Sequence, residues 1–280
     1  MRILIRTSKW AVLARRLGSV AVPLVIISVL LHRFRLITSD LFLVAALAAG
    51  LVALLAVLTA LIALARLWQT GDQGWGRALA GLLFGALSLL PYAWYGNLML
   101  RYPAVTDIAT AERGAMPLVF EPGTQAMPAP KMLSSEAMAR TFPNVETRTY
   151  PLGLAPTFAL VQQLVAANGW DIRLLREPTA GFNAGQLNAQ IVTLPGWREE
   201  VVLRVTGGLD ASRVDMRSAS LNALHDFGSN GMRIEDFLAS LDDAVTTLLR
   251  DNPNANQPIE AEPEAAPVTT EPEAPAGTDG

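Results

Sequence analysis

The chain has no cysteine and only two histidines, His32 and His225, in 280 residues. That excludes a disulfide framework, thiolate catalysis and cysteine-held metal or cluster sites, and it leaves too few imidazoles for an all-histidine zinc centre within one chain. Acids are scarce at the start: residues 1–103 carry ten Lys or Arg against two Asp or Glu, a net +8. Residues 104–250 carry twelve against sixteen (−4), and residues 251–280 none against seven (−7). None of these segments has the clustered basic stripe that nucleic acid requires, so no nucleic-acid partner is expected.

The first hundred residues are instead rich in uninterrupted apolar length. Leu17–Leu31 is a fifteen-residue run between Arg15-Arg16 and His32-Arg33-Phe34-Arg35, Leu41–Ala65 is a charge-free run of twenty-five, and Ala78–Leu100 is charge-free too. About 20 residues span a bilayer core. The first run reaches that length when extended back through Trp10, so spans are expected at about 11–31, 41–65 and 78–100. No small-x-small cleavage site follows the first run, which favours a retained helix over a signal peptide. Lys and Arg near the ends divide seven to four in favour of the side holding the N-terminus and the second loop. The positive-inside rule then places the N-terminus in the cytoplasm and the residues after the third span outside it. The expectation is a membrane protein whose C-terminal domain lies outside the cytoplasm. Tyr92, Trp94, Tyr95 and Tyr102 would form an outer aromatic belt, with Trp68 and Trp75 at the inner face.

No ionisable residue interrupts the span interiors, whereas transporters and proton relays usually need one, so a passive anchor is the better reading. Gly81 and Gly85 allow close helix approach, either for self-association or for packing among the chain's own helices.

Residues 103–144 are interrupted by Pro117, Pro122, Pro128, Pro130 and Pro143 and read as an irregular connector partly packed on the domain. Regular signals cover 145–250. Glu146–Pro151 reads as a strand. A helix follows, with Pro156 at its first position, an apolar side of Phe158, Val161, Leu164 and Val165, and a stop at Asn168-Gly169. Period-two alternation then marks four strands. Trp170, Ile172 and Leu174 share one side of the first. Leu187, Ala189 and Ile191 alternate with Asn188 and Gln190 in the second. Val201, Leu203 and Val205 mark the third, and Val214, Met216 and Ser218 the fourth. The last helix, about 233–250, has the apolar stripe Ile234, Phe237, Leu238, Leu241, Val245 and Leu248. The fold expected is three transmembrane helices followed by an α+β domain, mainly antiparallel sheet wetted on one face with helices on the other. Residues 251–280, acidic and rich in Pro and Ala, lack the apolar surface to fold.

The densest polar stretch lies between Asp215 and Arg233. Asp215-x-Arg217-Ser218-x-Ser220, Asp226-x-Gly228-x-Asn230 and Arg233-Ile234, with Val105-Thr-Asp107-Ile108-Ala-Thr110, Gly169-Trp170 and Glu200-Val201-Val202, resemble the signature of domain of unknown function family 1499 over roughly 103–249. The resemblance implies a bacterial-envelope or plastid setting and no established activity; with the orientation above, the expectation is a bacterial inner-membrane protein with a cytoplasmic N-terminus and a periplasmic C-terminal domain. Two positions depart from the family pattern: Leu221 stands where an arginine is usual, and Ala111 where an aspartate is.

Asp215, Arg217, Ser218, Ser220, Asp226, Asn230 and Arg233 are the candidate ligand-binding residues. Three chemistries fit them. Ser220, His225 and Asp226 supply the residue types of a hydrolytic triad, although adjacent His and Asp side chains tend to diverge and no nucleophile-elbow glycines flank either serine. Arg217, Arg233 and the serines suit an anion near a helix N-terminus. Structurally, Asp226 and Asn230 would hold a tight loop in which Gly228 and Gly231 take positive φ and Asn230 or Gly231 caps the last helix, with Arg217 and Asp215 in an ion network. Asp215, His225 and Asp226 match no metal-ligand spacing, and no catalytic residue, cofactor or metal is expected. The leading reading is a non-enzymatic binding or envelope-organising protein. The alternative is an envelope enzyme or sensor acting on an anionic or lipid-linked ligand through Arg217–Arg233. Expected partners are the lipid bilayer and an envelope protein or small anionic ligand, with self-association through Gly81 and Gly85 as a further option.

Overall fold

The computed structural model describes residues 6–119, 129–179, 183–253 and 255. Three long helices come first: α1 (Lys9–Arg33), α2 (Ser39–Thr70) and α3 (Trp75–Arg101), each long and apolar enough to cross a membrane. The first is 25 residues, or roughly 38 Å at 1.5 Å per residue. It exceeds the expected 11–31 because Lys9, His32 and Arg33 are helical, and Arg15 and Arg16 lie exposed within it rather than at its end. Thr38 caps α2 by accepting the Leu41 N–H, and Gly71, at φ 70°, ends it with its amide returned to the Leu67 carbonyl.

Small residues close the bundle at the end away from the domain. Ala11, Ala63, Leu67 and Ala78 form one cluster there. Gly18 and Gly81 face each other, and Gly85 lies against Ala53, Ala56 and Val57. Both glycines of the Gly81/Gly85 pair are therefore used within the chain's own bundle. A Cβ on Gly81 would stand 2.5 Å from the Ala14 backbone, whereas one on Gly96 meets nothing within 4 Å. Gly81→Ala should cost about 1–3 kcal/mol by overpacking. Gly96→Ala should stabilise slightly through helix propensity. Thermal unfolding of both variants in detergent separates them, and equal midpoints would mean that α1 and α3 do not pack this closely.

Toward the domain the helices diverge around an apolar cavity of about 200 Å³, lined by Val25, Val29, Phe42, Leu43, Pro91 and Tyr95 among others. Of the expected aromatic belt, Trp94 is exposed. Tyr92 donates to the Ala46 carbonyl at 2.6 Å, Tyr95 packs edge-on to Phe227, and Tyr102 stacks on Phe142. These three tyrosines serve packing rather than an outward belt.

The domain is built on β2 (Arg148–Tyr150), β3 (Asp171–Arg176), β4 (Ala184–Val192), β5 (Arg198–Gly207) and β6 (Ser212–Leu221), joined by β1 (Asp107–Ala109) from the stretch expected to be irregular. That stretch also holds α4 (Ser135–Thr141) and a 3-10 turn at Arg113–Ala115. The sheet order is β1-β6-β5-β4-β3, with β2 on the same edge of β6 as β1, and every pairing is antiparallel. α5 (Leu154–Ala167) and α6 (Ser229–Asp251) cover one face, burying Leu187, Ala189, Val201, Leu203, Val214 and Met216. α5 begins two residues before Pro156, with Gly153 as its cap. A bulge between Ile172 and Leu174 breaks the alternation expected in β3.

The other sheet face is polar, as the alternation implied, yet its centre is not wet. The segment after the 3-10 turn lies across it. Asn188 donates to the Pro117 carbonyl, Arg217 donates to the Met116 carbonyl, and the Val119 N–H donates to Glu200. Asn188 and Met116 are fully buried. Backbone groups of a proline-interrupted strip have nothing to pair with in regular structure, and here they satisfy the buried polar row. The acidic segment 251–280 lies outside the described residues except for Asp251–Pro253 and Ala255.

Anchor and domain meet at a defined junction. The β4–β5 loop, Thr193–Trp197, rests on the α1–α2 turn. His32 donates through Nδ1 to the Pro195 carbonyl at 2.7 Å, and Arg33 donates to the Thr193 and Leu194 carbonyls. His32, Phe42 and Trp197 pack as a ring trio. Gly196 is required here: at φ 99° a Cβ would lie 2.6 Å from the Arg33 Cα.

Candidate functional site

β6 decides where the signature residues go, because alternate side chains of one strand leave on opposite faces. Ser218 and Ser220 point to α6 and Arg217 to the covered polar face. The seven candidate residues therefore fall into three groups.

Five gather between β6 and α6. Ser218 donates to the Asn230 side-chain oxygen at 2.7 Å, and Asn230 donates through Nδ2 to Ser220 at 2.9 Å. Ser220 donates to Glu199 Oε1 at 2.9 Å, and Ser229 donates to the same oxygen at 2.6 Å. Arg233 pairs with Glu199 Oε2 and donates to Ser218 at 2.9 Å. Asp226 receives the Gly228 and Asn230 backbone N–H groups at 2.9 and 3.3 Å, so it holds the start of α6. The helix begins at Ser229, not near Arg233, and its cap is Gly228 at φ 82°. Asn230 and Gly231 are thus inside the first turn rather than caps, and Gly231 is helical. It lacks a side chain because one would meet the Phe142 ring at 2.4 Å.

Arg217 belongs to a second network on the opposite face. It grips Asp107 with Nε and Nη2 at 3.1 and 2.7 Å, while Arg113 approaches the same carboxylate at 3.3 Å. Asp215 forms a third group with Thr147 and Arg213. Five residues of strand, roughly 17 Å, separate it from Ser220. An Asp215–Arg217 pair is not formed.

Ser220 gives its proton to Glu199, and His225 Nδ1 accepts the Phe227 N–H at 2.8 Å. Ser220 therefore does not donate to the imidazole, and the triad geometry is absent. Burial lowers the His225 pKa, which keeps the ring neutral. Among the described residues no group of three His, Asp or Glu side chains is placed to hold a metal.

Glu199 and Ser229 were not legible as site residues. Glu199 had a signal: it shares the register of Val201, Leu203 and Val205, and a carboxylate on the apolar side of a strand needs a buried partner. These side chains form one wall of a second cavity, of about 170 Å³, where Glu199, Ser220, Asp226 and Ser229 face Trp94 and Tyr95 of α3.

Burial raises the Asp226 pKa to about 6, and Glu199 adds to the rise while the backbone N–H groups of Gly228 and Asn230 oppose it. A carboxyl raised in the folded state stabilises most when protonated. Its contribution is complete below about pH 4 and is lost as pH rises through 6. The span is on the order of 3 kcal/mol. Denaturant unfolding of the wild type and Asp226→Asn at pH 4 and pH 7.5 measures it. Their stability difference should change by that amount between the two pH values; a constant difference refutes the shift.

The fold and this site define a class: an α+β domain docked on a bundle of three apolar helices, with a cavity at the seam that holds two buried carboxylates. Residues 124–241 match the model of the family described as protein of unknown function (DUF1499). That span takes in β2 to β6 and most of α6, including Asp215–Arg233, and starts after the Val105–Thr110 motif. No curated protein and no solved structure matches the chain. The two departures from the family pattern sit apart. Leu221 is buried at the end of β6, opposite Arg198. Ala111 borders an open hollow of about 400 Å³ between β1 and α4.

Proposed function

We propose that this chain is a non-catalytic protein of the bacterial inner membrane that holds its domain against the periplasmic surface and binds a ligand at the seam. The observation carrying this reading is the cavity itself. Signature residues Ser220 and Asp226 share its wall with Trp94 and Tyr95, near the end of the third apolar helix. The exposed apolar side chains Phe34, Leu36, Trp94 and Leu194 ring this junction, which suits the boundary of a bilayer. The basic N-terminal segment lies at the opposite end, where Thr7 bridges to Gln73 of the α2–α3 loop. Positive-inside bias then favours a cytoplasmic N-terminus.

The anion-binding alternative through Arg217 and Arg233 draws less support. Each arginine is engaged by a buried carboxylate, and the sheet stands between them. The deciding experiment is topology: a reporter active only outside the cytoplasm, fused after Arg250, should be active. Silence there, with a cytoplasmic reporter active at the same point, would overturn the periplasmic reading.

A further inference from the structure

The apolar cavity among the helix ends and the cavity at the start of α6 are neighbours, because Tyr95, Trp197 and Phe227 form walls of both. The first is almost wholly hydrocarbon. The second is mainly apolar too, but it carries two buried carboxylates, Glu199 and Asp226, and among the described residues no Lys or Arg lines it. The groups lining that end sum to a negative charge: Arg233 offsets Glu199 from behind, the hydrogen bonds Asp226 accepts come from neutral backbone N–H groups, and Lys131 stands outside the wall, bonded to the Leu224 carbonyl.

The hydrogen bonds point the same way. Ser220 and Ser229 both spend their protons on Glu199, so they turn lone pairs rather than donors toward the space. Two carboxylates flanked by serine lone pairs disfavour an anion beside them and suit a cation rich in N–H donors. The aromatic rings of Trp94, Tyr95, Trp197 and Phe227 complete a setting that attracts ammonium groups.

We propose that the joined cavities bind a membrane amphiphile with an ammonium headgroup. The hydrocarbon chain lies among α1, α2 and α3, and the ammonium sits between Glu199, Asp226 and the aromatic wall. This deepens the binding reading above and rests on the helices lying in a membrane, but not on which leaflet the domain faces. A silent periplasmic reporter would therefore leave it standing, just as failed lipid binding would leave the topology standing.

The test uses the full chain, delipidated in detergent micelles, with bound lipid counted by native mass spectrometry. Three probes are titrated: didecanoyl phosphatidylethanolamine, didecanoyl phosphatidylglycerol, and phosphoethanolamine without chains. The ethanolamine lipid should bind about tenfold more tightly than the glycerol lipid, as an ammonium held by carboxylates and aromatic rings requires. Phosphoethanolamine alone should not bind in the same range. Ala46→Phe, which fills the apolar cavity, should weaken both lipids while the circular dichroism spectrum is kept. Ser229→Lys, which places a cation at the polar wall without touching the Asp226 cap, should reverse the headgroup preference. Equal or tighter binding of the glycerol lipid overturns the ammonium assignment. Tight binding of free phosphoethanolamine, or undiminished affinity in Ala46→Phe, overturns the lipid assignment.

Discussion

Asp107→Ala is expected to cost about 3–5 kcal/mol, the usual range for breaking a buried ion pair from one side. Asp107 is 1% exposed and is the shared acceptor for Arg217 and Arg113. Its loss leaves two guanidinium groups under the strip that covers the sheet without the carboxylate they share. Domain stabilities are about 5–15 kcal/mol, so this single change removes a large share. Removing the pair together tells a different story. Asp107→Leu with Arg217→Met replaces charge by apolar volume, and such exchanges are often neutral or stabilising. Denaturant unfolding of the full chain in detergent, followed by circular dichroism, measures both. A single variant within about 1 kcal/mol of wild type would show that the network does not hold β1 to β6.

Glu199→Gln should be comparably severe, again about 3–5 kcal/mol, because Arg233 keeps its charge and loses its partner. Glu199 is 2% exposed and accepts from Ser220, Ser229 and Arg233 together. The informative variant is the double, Glu199→Gln with Arg233→Gln. It removes the charge from both sides, so stability should return most of the way. Binding at the seam should not return, since the cavity has lost a carboxylate. Recovery of both together would assign Glu199 to folding alone; recovery of neither would mean that its hydrogen bonds to the serines, not its charge, hold α6 in place.

The architecture was readable wherever one periodicity acted alone. Charge-free apolar runs marked α2 and α3, and period-two alternation marked β4, β5 and β6. Reading failed where a distant segment changed what a residue meets. Asn188 and Gln190 are polar and were expected in water, but the strip around Met116 and Pro117 covers Asn188, and Gln190 is buried with Arg173 as its partner. Arg217 and Arg233 are both in the signature, and the anion-binding alternative has them act together. One residue of strand parity sends Arg217 to Asp107 and leaves Ser218 for Arg233. Tyr95 reads as an interfacial aromatic, and only the docking of the domain makes it a cavity wall. The Gly228–Asn230 turn shows the limit of cap rules: the capping carboxylate comes from Asp226, two residues ahead of the cap position.

The docking of the β4–β5 loop on the α1–α2 turn distributes its information unevenly. The loop contributes the carbonyls of Thr193, Leu194 and Pro195, groups that every residue carries whatever its side chain. The side chains that recognise them, His32 and Arg33, belong to the anchor. Drift of side chains in the loop therefore leaves the attachment largely intact, Gly196 and the ring of Trp197 excepted, while a change at two anchor positions undoes it. A chimera carrying this domain on foreign helices should fold yet swing free of the bilayer, whereas these helices should still capture a relative's domain with a differently composed loop. In this chain the anchor is the receptor and the domain its cargo.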